Sequence, residues 1–400
     1  MPERFDVCII GAGPGGLAAA LTARRRGLNT LLLERNPVIG EPVNCAEGVT
    51  RFGFVRQMEL LDVDLDEAWI RTTPKRGRVV APSGSVFEMH HTHGGVVLDR
   101  VGFERALADC YLEAGGDLRL NHRATGLTTR DGRCRCANVV DESGHAHHIE
   151  ADVFIAGDGV EGMIARKCGI RNNLNLIDTE SYLQYHLRDI EVDPDVIEAH
   201  LGQAVAPESY AWVFPISAVE ANVGLGVPAV FGANRPVRGF LDRFVERRFG
   251  AATIVRTSCG TSPRYQGPAR LARGNLLVVG DAARVLDSVT GGGILNALAS
   301  GRHAADAAAA FIESGGENIS IMHEVYPTRF LEESHRELDY MLKLKNFLCK
   351  LSDDEWNDIV DGLGAYFGDR EVESVDVVAT FVGVVRKKPR ILKIARHLLS

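Results

Sequence analysis

The stretch Phe5 to Glu34, FDVCIIGAGPGGLAAALTARRRGLNTLLLE, decides how this chain begins to fold. Phe5 to Ile10 reads as a buried strand, Gly11 to Gly16 as a turn, Leu17 to Arg26 as a helix and Thr30 to Glu34 as a second strand. Gly11, Gly13 and Gly16 each meet a steric need: a tight turn, room for a pyrophosphate against backbone, and close packing of helix on strand. The helix that opens there points free N–H groups and the positive end of its dipole at phosphate oxygens. Glu34, closing the second strand, is placed to bind ribose hydroxyls. With Pro14, Gly15 and Arg35, these residues form a candidate dinucleotide site. FAD and NAD share the fingerprint, so the choice between them rests on the rest of the chain.

Beyond this unit, Asp99 to Ala114 has helical spacing, and Asp117 to Glu150 reads as short alternating strands broken at Asp131-Gly132 and Ser143-Gly144. Ala151 to Ala156 is another buried strand, running into Gly157-Asp158-Gly159. Residues 172–268 change to alternating apolar and polar segments with several prolines; Val237 to Phe249 is the one long helix expected there. Asn275 to Val279 returns as a parallel-type strand, followed by an Ala-rich helix from Gly293 to about Ile312. The nucleotide fold is therefore discontinuous, with an antiparallel sheet inserted into it.

The 400 residues, 45% hydrophobic and 24% charged, suit a folded chain of two or three subdomains. A net charge of -8 argues against nucleic acid as a partner. The eight cysteines, Cys8, Cys45, Cys110, Cys134, Cys136, Cys168, Cys259 and Cys349, are scattered rather than spaced as a disulfide framework or zinc site. The run His90-His91-Thr92-His93 lacks metal-site geometry, since neighbours on a strand point to opposite faces, and no metal is expected. No signal peptide precedes the first strand, and no stretch reaches the roughly 18 apolar residues of a spanning helix. The expected address is cytoplasmic. Arg386 to Leu399 reads as a basic amphipathic helix, suited to peripheral contact with anionic lipid at the inner membrane surface, although a partner-facing or ordinary surface helix is an equal reading.

Two later segments choose the cofactor. Phe154-Ile155-Ala156-Gly157-Asp158-Gly159 and Leu277-Val278-Val279-Gly280-Asp281-Ala282-Ala283 resemble the DG and GD motifs of flavoproteins with the para-hydroxybenzoate hydroxylase fold. That resemblance implies FAD, with Asp158, Gly280 and Asp281 at the cofactor, Asp281 on the ribityl chain, and Gly292, Gly293 and Ile294 opening a helix toward the flavin pyrimidine. Arg100 fits that group's arginine beside the cofactor. Within it, residues 1–310 are similar to the geranylgeranyl reductase family, including archaeal digeranylgeranylglycerophospholipid reductases. The carriers are the opening fingerprint; Gly40-Glu41-Pro42-Val43-Asn44-Cys45-Ala46-Glu47-Gly48; Pro207-Glu208-Ser209-Tyr210-Ala211-Trp212-Val213-Phe214-Pro215 with Gly224 and Gly226; and Thr290-Gly291-Gly292-Gly293-Ile294. The third matches the family's PxxYxWxFP pattern.

Pattern and resemblance together lead us to expect an α/β chain: a Rossmann-type FAD-binding domain (residues 1–70, 98–170 and 269–315), an inserted antiparallel β-sheet substrate domain (71–97 and 171–268) and, from the pattern alone, a C-terminal helical region (316–400). The resemblance implies an FAD-dependent reductase that saturates carbon–carbon double bonds of geranylgeranyl chains on archaeal-type ether phospholipids or related polyprenyl compounds, an isoprenoid lipid being the substrate. Cys45 is the catalytic candidate, and Cys45, Ala46 and Gly48 also border the flavin. Tyr210, Trp212, Phe214, Pro215, Gly224, Gly226, Thr290 and Gly291 are the substrate candidates, although aromatics at period two are also ordinary sheet core. With one GxGxxG unit in the sequence, electrons are expected from transient NAD(P)H or a ferredoxin-like protein. The aromatic strand is also similar to the WxWxIP signature of flavin-dependent halogenases, so a monooxygenase or halogenase on this scaffold, or a membrane-associated flavin electron carrier, are the alternatives. Gly162, where many relatives carry serine, and Arg284 with Asp287-Ser288 depart from the family pattern.

Overall fold

The computed structural model describes residues 3–170, 175–265, 271–368, 370–373 and 377–391. Glu3–Ile10 lies between Thr30–Leu33 and Ala146–Ala156, parallel to both, with Ile10 opposite Leu33 on one side and Ala156 on the other. Leu276–Val278 extends this sheet past Ala156, and Asp117–Arg119 extends it past Thr30–Leu33, again in parallel. Val7, Cys8, Ile9, Leu31 and Leu32 are fully buried, as strands covered on both faces require. Three strands thus end at one edge of the sheet, and the glycine turns at Gly11, Gly157 and Gly280 follow them there.

Helices Pro14–Arg25 and Ile294–Glu313 cover one face and cross almost backbone to backbone. A Cβ added at Gly301 would stand 2.1 Å from the Gly15 carbonyl oxygen. Ala18, Ala19 and Ala20 are fully buried along this crossing. Small side chains therefore set how close the two helix openings lie to one another.

Two sequence expectations shift. Asp117–Arg119 is a parallel strand of the main sheet and not the start of a meander. The hairpin partner and the buried strand at Ala151 are one element, Ala146–Ala156, whose first half pairs antiparallel with Arg133–Val140 while the whole runs parallel to Glu3–Ile10. The change from polar to apolar residues along it marks the passage from sheet edge to core, not a break in the strand.

The inserted sheet runs Thr253–Pro263, Thr179–Arg188, Glu220–Pro228, Ala211–Pro215, Val196–His200, Arg76–Val80, Val86–His91, Glu371–Val372. It is antiparallel except where Val196–His200 meets Arg76–Val80 and where Glu371–Val372 meets Val86–His91, which are parallel. Those two joints bring together segments far apart in sequence, which no local turn signal announces. Helix Val237–Phe249 covers one face of the sheet, its Phe240, Leu241, Phe244 and Val245 clustering with Leu183, Tyr185, Val213, Val223 and Leu225. Side chains alternate along strands, so Tyr182, Gln184, Trp212 and Asn222 face the other way, toward the nucleotide fold.

A three-stranded antiparallel sheet, Gly48–Thr50, Gly95–Leu98 and Ile70–Thr72, stands at the junction. Farther on, helix Ser320–Leu348 runs through Pro327 and is pinned to the main sheet by the buried Tyr326 hydroxyl, which donates to the Val278 carbonyl at 2.7 Å. Among the described residues no helix is long and apolar enough to cross a membrane. The basic tail is described only as far as Ile391; its remainder, from residue 392, lies outside the described residues.

Candidate functional site

Backbone geometry at the sheet edge fits a dinucleotide. Gly11 has φ +94°, and a Cβ there would meet the Gly157 carbonyl oxygen at 2.3 Å; one at Gly16 would meet the Gly11 oxygen at 1.8 Å. At Gly13 nothing lies within 4 Å of that position, so the turn is tight on its inner side and open on its outer one. No side chain caps the helix at Gly13, and its first N–H groups point toward the open side. Glu34 is buried; one carboxylate oxygen accepts from Ala12 N at 2.8 Å and the other from Asn36 N at 2.9 Å. Each oxygen keeps a lone pair for a hydroxyl. Arg35 turns away, half exposed and 3.3 Å from Glu161.

The two motif aspartates lie on the loops that close this cradle. Asp158 accepts from Ile164 N at 2.8 Å through one oxygen; the other is buried with no partner among the described residues. Burial pushes its carboxyl up, and does the same to Asp281 against the opposing charges of Arg100 and Arg284. Arg284 ties the loops together, donating to the Val160 carbonyl at 2.7 Å and the Asp281 carbonyl at 2.9 Å. It holds φ +59°, the left-handed position where glycine is ordinarily favoured. A Cβ at Gly293 would stand 3.3 Å from Asp281 Oδ1, so Asp281 sits at the uncapped opening of helix Ile294–Glu313, beside the exposed Thr290, Gly291 and Gly292.

Cys45 is half-buried in the loop before Gly48–Thr50. Its Sγ accepts from Glu47 N at 3.2 Å. Arg100 opens the helix capped by Asp99 and pairs with Glu104 at 2.5 Å. Burial works against the guanidinium charge, but Glu104 and Cys45 beside it outweigh that and raise its pKa. Cys45 Sγ therefore lies beside a cation and accepts a backbone N–H.

The inserted sheet grips this loop from the other side. The Tyr182 hydroxyl donates to the Asn44 carbonyl at 2.8 Å, Gln184 Nε2 to the Cys45 carbonyl at 2.8 Å, and Asn222 Nδ2 to Glu47 Oε2 at 2.5 Å. Trp212 Nε1 donates to Gln184 Oε1 at 3.0 Å. Glu47 holds φ +70°, a strained position for a side chain that is not glycine. Burial pushes its carboxyl up, against the Asn222 bond and the charges of Arg256, Arg100 and Arg71.

Tyr210, Trp212 and Phe214 share the face turned to the nucleotide fold. The Tyr210 hydroxyl donates to the Thr290 carbonyl, and its ring meets Trp212 edge-on at 5.9 Å. Trp212 lies on Gly224, where a Cβ would come within 2.5 Å of the indole; Phe214 lies on Gly48, at 2.4 Å in the same sense. Thr72 Oγ1 donates to the Pro215 carbonyl at 2.5 Å. Gly226 faces Ser209 and Glu180 instead. Sequence reasoning missed Tyr182, Gln184 and Asn222; polar residues at period two in strands otherwise rich in Leu and Val were the available signal.

Comparison with known proteins follows the same division. The chain matches the geranylgeranyl reductase catalytic domain over residues 178–261 and the FAD dependent oxidoreductase family over residues 6–216. It is 37% identical over 370 residues to the digeranylgeranylglycerophospholipid reductase of Methanosarcina acetivorans, covering 91% of this chain and 89% of that one. With the protein of the same name from Methanothrix thermoacetophila it shares 36% over 402 residues, 99% and 100% of the two chains. A crystal structure of a geranylgeranyl bacteriochlorophyll reductase-like protein from Thermoplasma acidophilum superposes over the full length of both chains, with a TM-score of 0.90 and 30% identity. The myxobacterial chondrochloren halogenase superposes with a TM-score of 0.71 at 18% identity, a likeness of fold alone.

Proposed function

The chain belongs to the geranylgeranyl reductase family of FAD-dependent oxidoreductases, and from that premise we propose how its own residues carry out the reaction. The protein is an enzyme with FAD as cofactor, and it saturates carbon–carbon double bonds in geranylgeranyl chains of an isoprenoid glycerophospholipid. A hydride equivalent for one alkene carbon is the chemistry that bound, reduced FAD supplies. Gly11, Gly13, Gly16 and Glu34 hold its adenosine diphosphate half, and Asp158, Asp281 and the opening of helix Ile294–Glu313 the flavin half.

An isolated alkene accepts hydride poorly unless a proton reaches the other carbon as charge develops. Cys45 Sγ is the proton donor in this reading. The thiolate left behind is stabilised by the Arg100 guanidinium and the Glu47 N–H, and solvent returns its proton after product leaves. Tyr182 and Gln184 hold the backbone carbonyls of Asn44 and Cys45, and Asn222 holds the Glu47 carboxylate, so the donor is positioned before substrate arrives. Tyr210, Trp212 and Phe214 present an apolar wall to the isoprenoid chain and keep water from the reacting carbon. Reducing equivalents come from transiently bound NAD(P)H or a ferredoxin-like protein, and the enzyme works from the cytoplasmic side of the membrane that holds its substrate.

The observation that carries this reading is the Cys45 loop itself, clamped between Arg100 on one side and a row of polar side chains from the inserted sheet on the other. Cys45→Ala should bind FAD normally and lose about 100-fold or more in turnover, the usual contribution of a positioned acid. Full turnover by that variant would remove Cys45 from the mechanism.

A further inference from the structure

Two short turns at one end of the inserted sheet, Leu176–Asp178 and Ala229–Asn234, lie side by side. Their apolar tips face solvent: Leu176 is 61% exposed, Ile177 68% and Val230 51%. One exposed leucine is ordinary, but three large aliphatic side chains on adjoining turns are not. Nothing in the core explains them, since Leu183, Tyr185, Val223 and their neighbours already close that cluster beneath.

The segment that leaves the second turn is basic. The Arg235 guanidinium lies 4.4 Å over the Phe231 ring and 5.3 Å from that of Phe240, and Arg243 is 5.0 Å from Phe240. Arg235, Arg238, Arg243 and Arg247 are all exposed, against exposed Asp242 and Glu246 on the same segment. Part of this charge is internally engaged: Arg238 donates to the Tyr185 hydroxyl at 3.0 Å, and that hydroxyl donates to Asp242 at 2.6 Å. Asp178, the acid on the first turn, is bonded to Asn175 at 2.9 Å. In a chain with net charge -8, an arginine surplus on the segment that leaves the second turn is a marked departure.

We propose that this surface docks the enzyme on an anionic lipid bilayer, with Leu176, Ile177 and Val230 entering the headgroup boundary and Arg235 and its neighbours meeting lipid phosphates. Aliphatic insertion and guanidinium–phosphate attraction are the two components of interfacial binding, and neither alone is strong. The surface is also connected to the chemistry. Strand Thr179–Arg188 starts directly after the first turn, and Tyr182 and Gln184 on it hold the Cys45 loop. Gln184 is five positions into that strand from Thr179, about 17 Å along it, a distance that a long isoprenoid chain can bridge. A lipid whose headgroup stays at the patch could therefore present its double bonds near Cys45. The inference rests on the lipid-reductase reading for its purpose, but not for its test.

Flotation of the full chain with phosphatidylcholine vesicles, with and without phosphatidylglycerol, provides that test. The intact protein should float with the anionic vesicles and much less with the neutral ones. Leu176→Asp combined with Ile177→Asp should weaken flotation at least tenfold, Val230→Asp on the neighbouring turn should weaken it independently, and Arg235→Glu should remove most of the preference for anionic lipid. All should retain FAD. An intact protein that stays with neither vesicle, or variants that float as well as it does, would overturn the proposal; the second result would point to the basic tail. Failure of turnover in the intact protein would count against the catalytic reading and leave the flotation result standing.

Discussion

Gln184 makes two side-chain hydrogen bonds, and both matter to the same loop: it donates to the Cys45 carbonyl and accepts from the Trp212 indole. Gln184→Leu leaves a carbonyl and an indole N–H unpaired, at a cost of about 1–3 kcal/mol for each buried group. The variant should bind FAD as the parent does, lose about tenfold in turnover, and change the alkylation rate of Cys45 by iodoacetamide. An unchanged alkylation rate would mean that Gln184 supports the fold without positioning the thiol. Glu47 gives a second test through its raised carboxyl pKa. A carboxyl raised in the folded state contributes its stability below the ordinary glutamate value, and that stability is lost as pH rises through the raised one. Glu47→Gln, which keeps an acceptor for Asn222, should therefore gain in Tm relative to the parent as pH rises. A gap that narrows with rising pH would contradict the assignment.

At the scale of elements, the first turn separates steric from ligand-driven glycines. Gly16→Ala puts a methyl 1.8 Å from the Gly11 carbonyl oxygen and should prevent the opening strand, turn and helix from assembling. Gly13→Ala meets nothing of the protein within 4 Å, so it should fold with a near-native Tm and lose at least tenfold in FAD affinity, measured by titrating the stripped protein. Equal loss of fold in both would show that Gly13 is structural. This opening unit was legible because strand, turn and helix follow one another and each residue type has a local reason. Helix Val237–Phe249 was legible for the same reason, with its apolar face at helical spacing. The parallel joint between Val196–His200 and Arg76–Val80 was not, because it pairs segments about 120 residues apart and depends on the whole sheet being in place. The grip of Tyr182, Gln184 and Asn222 on the Cys45 loop was hidden likewise: their period showed a face, but only the tertiary structure shows what that face meets.

Across the molecule, helices from three parts of the chain meet at Glu333. It lies 2.7 Å from Arg302 and 2.6 Å from His303, both on helix Ile294–Glu313, and 3.3 Å from Gln57 on Arg51–Leu61. The hydrogen bond to His303, then the Arg302 charge, hold the Glu333 carboxyl down at about 2. A depressed carboxyl contributes stability above the ordinary glutamate value near about 4.3, and that contribution disappears as pH falls toward the folded value. Glu333→Gln should lower stability by about 2 kcal/mol at neutral pH, and the difference from the parent should shrink as pH falls from about 4 toward 2 in denaturant titrations. The central claim concerns the whole assembly, in which a dinucleotide cradle on one sheet and a lipid-facing strand on another meet at Cys45. It is tested most directly by the mass of geranylgeranyl phospholipid recovered after anaerobic incubation with the protein and reduced FAD. The account predicts products heavier by two hydrogens for each bond saturated, formed without oxygen. Unchanged lipid under those conditions, with an oxygenated product appearing only when air is admitted, would contradict it.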